Sequence, residues 1–159
     1  MKSDRALILD ANLAVLLIVG LVDSRLITSH RNLSAYDVDD FELVKSVVAM
    51  STELIWCPHL LSEVSSLIRQ IGGPARRQVT AGLSQAISGA KETCLASETA
   101  LSHPAYASLG LTDAILLLLA QSGATLLTAD LDLHLAALAD GLSSINFAEV
   151  RDERPDFGI

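Results

Sequence analysis

Ala6-Leu7-Ile8-Leu9-Asp10-Ala11-Asn12, running on into the apolar stretch Leu13 to Val22, decides how the rest of the chain is read. A short apolar run ends in a carboxylate, and the Leu- and Ala-rich stretch behind it suits a helix. The segment therefore predicts strand, turn, helix, with Asp10 at the strand's C-terminal end. The same pattern returns late in the chain. Ala124 to Thr128 predicts a strand that delivers Asp130 and Asp132 just past its end, before a helix over Leu133 to Ala139.

Between these two units, Leu54 to Cys57 reads as a second strand stopped by Pro58, and Glu92 to Ala96 as a third. Ser144 to Phe147 completes a set of five. Strands alternating with helices predict an α/β fold with a parallel sheet, whose ligand sites lie at the strands' C-terminal ends. Leu60, Val64, Leu67, Ile68 and Ile71 follow helical spacing, and Gly72-Gly73-Pro74 ends that helix. At about 100° per residue, Glu63 falls beside Leu67, which predicts a side chain turned to the sheet and off the solvent face. Thr112 to Gln121 is apolar nearly all round and predicts a buried helix with Asp113 in its first turn and Gly123 as its stop.

Phe41 to Ser51 predicts a helix opened by Asp39-Asp40. Asp23 to Asp40 reads as a long polar loop with a short helical piece, and loops of that length often carry function. Arg76 to Ala90 is helix-compatible, and Ser97 to Leu109 is helical in pieces broken near His103-Pro104. The chain of 159 residues suits one domain, residues 1–150, followed by a charged tail, residues 151–159.

Half the residues are apolar and only 4% are aromatic, so the core is built from Leu, Ile, Val and Ala. A net charge of -8 argues against a generic electrostatic grip on nucleic acid or an anionic membrane. Two divalent cations held by Asp10, Glu63, Asp113 and Asp130 would cancel those four charges locally, so an RNA substrate stays open. Cys57 and Cys94 show neither disulfide nor zinc spacing, which fits a reducing cytoplasm. Leu13 to Val22 is shorter than the roughly 20 residues of a membrane helix, and Asp10 and Asn12 interrupt the continuity a signal peptide needs.

Carboxylates set repeatedly against apolar sequence are costly unless paired, hydrogen-bonded or bound to a cation. Hard cations such as Mg²⁺ and Mn²⁺ take oxygen ligands and need no His or Cys. Two such ions about 3.5 to 4 Å apart serve many nucleases in phosphodiester cleavage. Each carboxylate also has an ordinary alternative. Asp10, Asp113 and Asp130 could be helix caps, Glu63 a partner of the helix dipole, and Asp132 a solvent-facing helix start. His30, His59, His103 and His134 lack ligand spacing, and Arg76 and Arg77 read as a solvated helix end. His30, Arg31, Tyr36 and Arg69 are candidates for contact with an RNA strand.

Leu9-Asp10-Ala11-Asn12, Glu63 after the Pro58 break, Asp113 opening an apolar helix and Thr128-Ala129-Asp130-Leu131-Asp132 together resemble the PIN-domain ribonucleases. The pattern spans Ile8 to Phe147 in the family's order. The resemblance implies a three-layer α/β/α sandwich around a parallel sheet of about five strands. It also implies Mg²⁺- or Mn²⁺-dependent hydrolysis of RNA by Asp10, Glu63, Asp113 and Asp130, with Asp132 as a more variable fifth metal ligand. Asn12 and Thr128 match supporting polar positions. Among such proteins, VapC-type toxins imply an antitoxin protein as partner. Leu133 stands where many members have Phe, and the Asp23 to Asp40 loop is longer than in compact toxins. The competing reading is a catalytically inactive PIN-like module that binds RNA or protein. Apolar surface left by a Leu-rich chain adds a homodimer to the expectations. A phosphoaspartyl site lacks a suitably placed lysine, and no phosphate-binding glycine motif is present.

Overall fold

A computed structural model describes residues 4–153. Its sheet is made of β1 (Leu7–Leu9), β2 (Thr125–Thr128) and β3 (Ser144–Asn146), in that spatial order. All three run parallel, with Leu7 opposite Thr125, Leu9 opposite Leu127 and Thr128 opposite Asn146. Every residue of β1 and β2 is buried, as expected for a sheet covered by helices, so continuous apolar runs rather than alternation mark these strands.

The sheet is smaller than the five strands expected. Leu54–Cys57 and Glu92–Ala96 contribute single parallel bridges, Leu7 to Leu54 and Trp56 to Glu92. Their hydrogen bonds are sound: Leu7 N–H donates to the Glu53 carbonyl at 2.9 Å, and Thr93 N–H to Trp56 at 2.7 Å. Pro58 cuts the first segment short because helix α3 (Pro58–Ile68) starts there. The second is exposed from Lys91 to Cys94, so no burial drives it to extend.

Helix α1 (Ala11–Val22) is buried from Leu13 through Gly20, which makes it the centre of the core. It packs on α2 (Val38–Met50), α3 and α4 (Gly73–Gly89). Short 3-10 turns, Ser24–Ser29 and Arg31–Leu33, fill much of the loop between α1 and α2. After Ser97–Ser102 and the single turn α5 (Tyr106–Leu109), helix α6 (Leu111–Ala120) buries Ala114 to Leu117, Leu119 and Ala120. Helix α7 (Leu131–Ala139) follows β2, and α8 (Phe147–Glu153) follows β3. Arg151 to Glu153, expected in a tail, thus belong to a helix; the rest of that tail lies outside the described residues. No helix among the described residues is long and apolar enough to cross a membrane.

One close approach sets the α1–α2 spacing. A Cβ at Gly20 would sit 2.2 Å from Cδ2 of the buried Phe41 ring. Gly20→Ala gains up to about 1 kcal/mol in helix propensity, but the ring is packed and overpacking costs about 1–3 kcal/mol. The clash wins. We expect a lower denaturant midpoint with an unchanged m-value; a variant as stable as the wild type would show that the ring moves freely.

Candidate functional site

Asp10 leaves β1 at its C-terminal end and caps α1, its Oδ1 accepting the Leu13 N–H at 3.0 Å. Its Oδ2 accepts the Ala129 N–H at 3.1 Å and the Thr128 hydroxyl. The side chain is buried, and burial pushes its pKa up. Thr128, Leu13 and Ala129 oppose that rise, and the Asp130 charge adds to it. The cap reading for Asp10 is therefore correct but incomplete, because the same carboxylate also ties β1 to the end of β2.

Thr128 is the buried joint of this arrangement. Its hydroxyl, besides donating to Asp10, accepts the Asp130 N–H at 2.9 Å. Asp130 in turn caps α7, accepting from Asp132 N–H at 2.9 Å and Leu133 N–H at 3.3 Å. This sequence of bonds follows from parallel pairing: Leu9 lies opposite Leu127, so the residues after each strand end emerge side by side.

Asp113 differs from both. It sits in the first turn of α6, whose cap residue is Gly110, and no donor among the described residues reaches its carboxyl. Burial pushes its pKa up to about 7, and the charges of Asp130, Glu63 and Asp10 add to the rise. Three of the carboxylates predicted to share a site, carried on separate chain segments, thus act on the fourth, Asp113.

Glu63 needs a correction. It is exposed, in the second turn of α3, whose buried face is Leu60, Leu61, Val64 and Ile68. It lies on the flank of that face, and its charge still reaches Asp113. A role at the helix dipole does not fit, since the first turn of α3 holds no acidic residue. Asp132 is exposed in the first turn of α7 and is not among the charges that act on Asp113. Asn12 is exposed at the start of α1.

The predicted RNA-contact residues separate from the cluster. His30 is buried; its Nδ1 accepts the Asn32 N–H at 3.0 Å, and burial lowers its pKa, with the Leu67 backbone opposing. It is a packed histidine, unable to meet a strand of RNA. Arg31 and Arg69 are exposed, beside an Asn32–Gln70 hydrogen bond of 2.8 Å that joins the loop to the end of α3. Arg69 stands six positions beyond Glu63, roughly 9 Å along the helix.

Three residues border it: Tyr36, the one expected RNA contact whose surroundings include the Asp10 charge, and Asp40 and Arg151, which were not expected there. Tyr36 packs edge-on against Phe147, ring centroids 6.0 Å apart. Its pKa is pushed up to about 12, by burial first and then by the Asp10 charge, with Arg151 opposing. Asp40 is fully buried and pairs with Arg151 at 3.0 Å. The Asp37-x-x-Asp40 spacing is a readable capping box, whereas nothing local signals Arg151.

The donor set suits a hard divalent cation: oxygen only, negative, and crowded enough that Asp113 is driven towards its neutral form. No three His, Cys, Asp or Glu side chains among the described residues stand close enough to hold one ion together. No family model, curated protein or solved structure matches the chain.

Proposed function

We propose that the chain is a metal-dependent endoribonuclease of PIN-like architecture, hydrolysing phosphodiester bonds of single-stranded or structured RNA. One observation carries this reading: Asp113 on α6 lies within the electrostatic reach of carboxylates from the end of β1, from α3 and from the β2–α7 turn, all carried by elements around one parallel sheet. Asp113, with no donor among the described residues, is the member with most to gain from a cation. Asp113, Glu63 and Asp130 would hold Mg²⁺ or Mn²⁺, with Asp10 contributing whatever acceptor capacity its three donors leave. Such an ion, when bound, supplies a Lewis acid and a water of lowered pKa. Thr128 keeps Asp10 and the Asp130 backbone in fixed relation, so the chain's own part is to hold the carboxylates in place before substrate arrives.

In this reading the parallel arrangement extends to five segments in a three-layer sandwich. The bridges Leu7–Leu54 and Trp56–Glu92 support it, since they continue the sheet past β1. The reading extends to a cytoplasmic homodimer acting as the toxin of a toxin–antitoxin pair, an antitoxin protein covering the acidic edge. Exposed Leu131, Leu135 and Leu138 on α7, next to Asp130, offer apolar surface for either contact.

The test is cleavage of a labelled single-stranded RNA with Mg²⁺ or Mn²⁺ and with EDTA, alongside thermal melting. Cleavage should be lost in EDTA. Mg²⁺ at a hundredfold its dissociation constant should stabilise the fold by about 2.7 kcal/mol. Metal-independent cleavage, or no cleavage with no melting shift, would overturn the reading. The second reading, a catalytically inactive PIN-like module that binds RNA or protein, draws on the absence of three ligand side chains already gathered among the described residues. It is favoured if RNA binds without turnover in either metal.

A further inference from the structure

The four carboxylates carry only negative charge, so a phosphodiester brought to this edge gains from a hydrogen-bond donor beside them. Of the exposed arginines, Arg69 stands at the C-terminal end of α3, six positions beyond Glu63, and Arg31 in the 3-10 turn Arg31–Leu33. We infer that Tyr36 supplies this donor, its phenol hydroxyl hydrogen-bonding a phosphate oxygen of the RNA strand, and that Arg151 is the positioning residue that holds it there. The inference rests on the reading of the acidic edge as an RNA site.

The placement of Tyr36 follows from contacts alone. Asp10 is bonded to Thr128, Thr128 lies opposite Asn146, and the next residue, Phe147, packs edge-on against the Tyr36 ring. The ring therefore lies at the carboxyl edge of the sheet. Its backbone is held on both sides. The Tyr36 N–H donates to the Leu33 carbonyl at 2.9 Å, and Arg151 Nη2 donates to the Ala35 carbonyl at 2.9 Å. Arg151 Nε meets the buried Asp40 carboxylate at 3.0 Å, and Asp40 and Asp37 close a reciprocal capping box with two 2.9 Å bonds.

These contacts divide the roles. The Arg151 guanidinium is engaged by Asp40 and Ala35, so it anchors α8 to the turn before α2. The phenol stays protonated across the physiological range, as a donor to an anion must. A neutral donor also adds no charge that would compete for the carboxylates.

The test measures binding of a fluorescein-labelled single-stranded RNA, with cleavage kinetics in Mg²⁺, for Tyr36→Phe, Arg151→Met and the double variant. Tyr36→Phe should weaken RNA binding and raise KM about tenfold, as loss of a hydrogen bond to a charged group does, with melting unchanged. Arg151→Met should match that loss while also melting lower. The double variant should bind no worse than Arg151→Met, because both changes remove one contact. Wild-type affinity in Tyr36→Phe overturns the inference and leaves the nuclease reading standing. Weakened binding by Tyr36→Phe in a protein that never cleaves RNA supports the inference and overturns the nuclease. A wild type that neither binds nor cleaves RNA overturns both.

Discussion

Asp113→Asn is expected to lower metal-dependent RNA cleavage by about 10²-fold or more and, without added metal at pH 8, to make the protein more stable than the wild type. Asn keeps the volume of the side chain and removes its charge. In the wild type that charge is half-buried, meets no donor among the described residues, and faces Asp130, Glu63 and Asp10. Its pKa rises from the ordinary 3.8 to about 7. A folded-state pKa raised in this way means that the native protein holds the proton more tightly than the unfolded chain. Stability is then undiminished below about pH 4, falls as pH rises through 7, and carries the full penalty above it.

Allowing for the solvent that reaches a part-buried group, we expect Asp113→Asn to gain about 2 kcal/mol at pH 8, or about 5 °C in Tm. Loss of the favourable helix-dipole contact subtracts about 0.3–1 kcal/mol and does not change the sign. The gain should vanish near pH 4, and saturating Mg²⁺ should reverse the order of the two proteins. If Asp113 merely served the helix terminus, Asn would melt lower at every pH. That outcome would sink the metal-site assignment of this residue.

This opposition between stability and activity explains which parts of the site were legible in sequence. Asp10 and Asp130 are set by strand ends, and a buried apolar run followed by a carboxylate is a local pattern that survives folding. Asp113 was visible because a carboxylate opening an all-apolar helix conflicts with its surroundings. Glu63 was placed on the right helix but on the wrong side of its boundary with solvent, because a helical wheel gives an angle and not the reach of a long side chain. The second and third segments form only single parallel bridges, because the extension of a short apolar or β-branched run depends on neighbours that local sequence does not specify. Arg151 was beyond reach: its hydrogen bond to Ala35 spans 116 positions, and its charged neighbourhood reads as a tail. His30 failed for a related reason, since nothing in a polar loop announces that one of its histidines is buried.

Thr128→Val is the sharper test of whether the strand ends are built as a unit. Valine matches the shape of the fully buried threonine but removes an oxygen that donates to Asp10 and accepts from the Asp130 N–H. A hydrogen bond to a charged group is worth about 1.5–3 kcal/mol and a neutral one about 0.5–1.5, so the variant should lose about 3 kcal/mol. The loss should depend on pH. Burial already raises the Asp10 pKa above 3.8, and Thr128 is the strongest group opposing that rise. Without the hydroxyl the folded-state pKa climbs further, so stability that is intact below about pH 4 is lost more steeply as pH increases through the folded value. Urea titrations at pH 5 and pH 8 should therefore show the larger deficit at pH 8. Thr128→Ser, which restores the hydroxyl and gives up one methyl, should recover all but about 1 kcal/mol. A deficit equal at both pH values, or one that serine fails to recover, would mean that packing rather than the bond to Asp10 is what Thr128 provides, and Asp10 would have to be held in place by the Leu13 and Ala129 N–H groups.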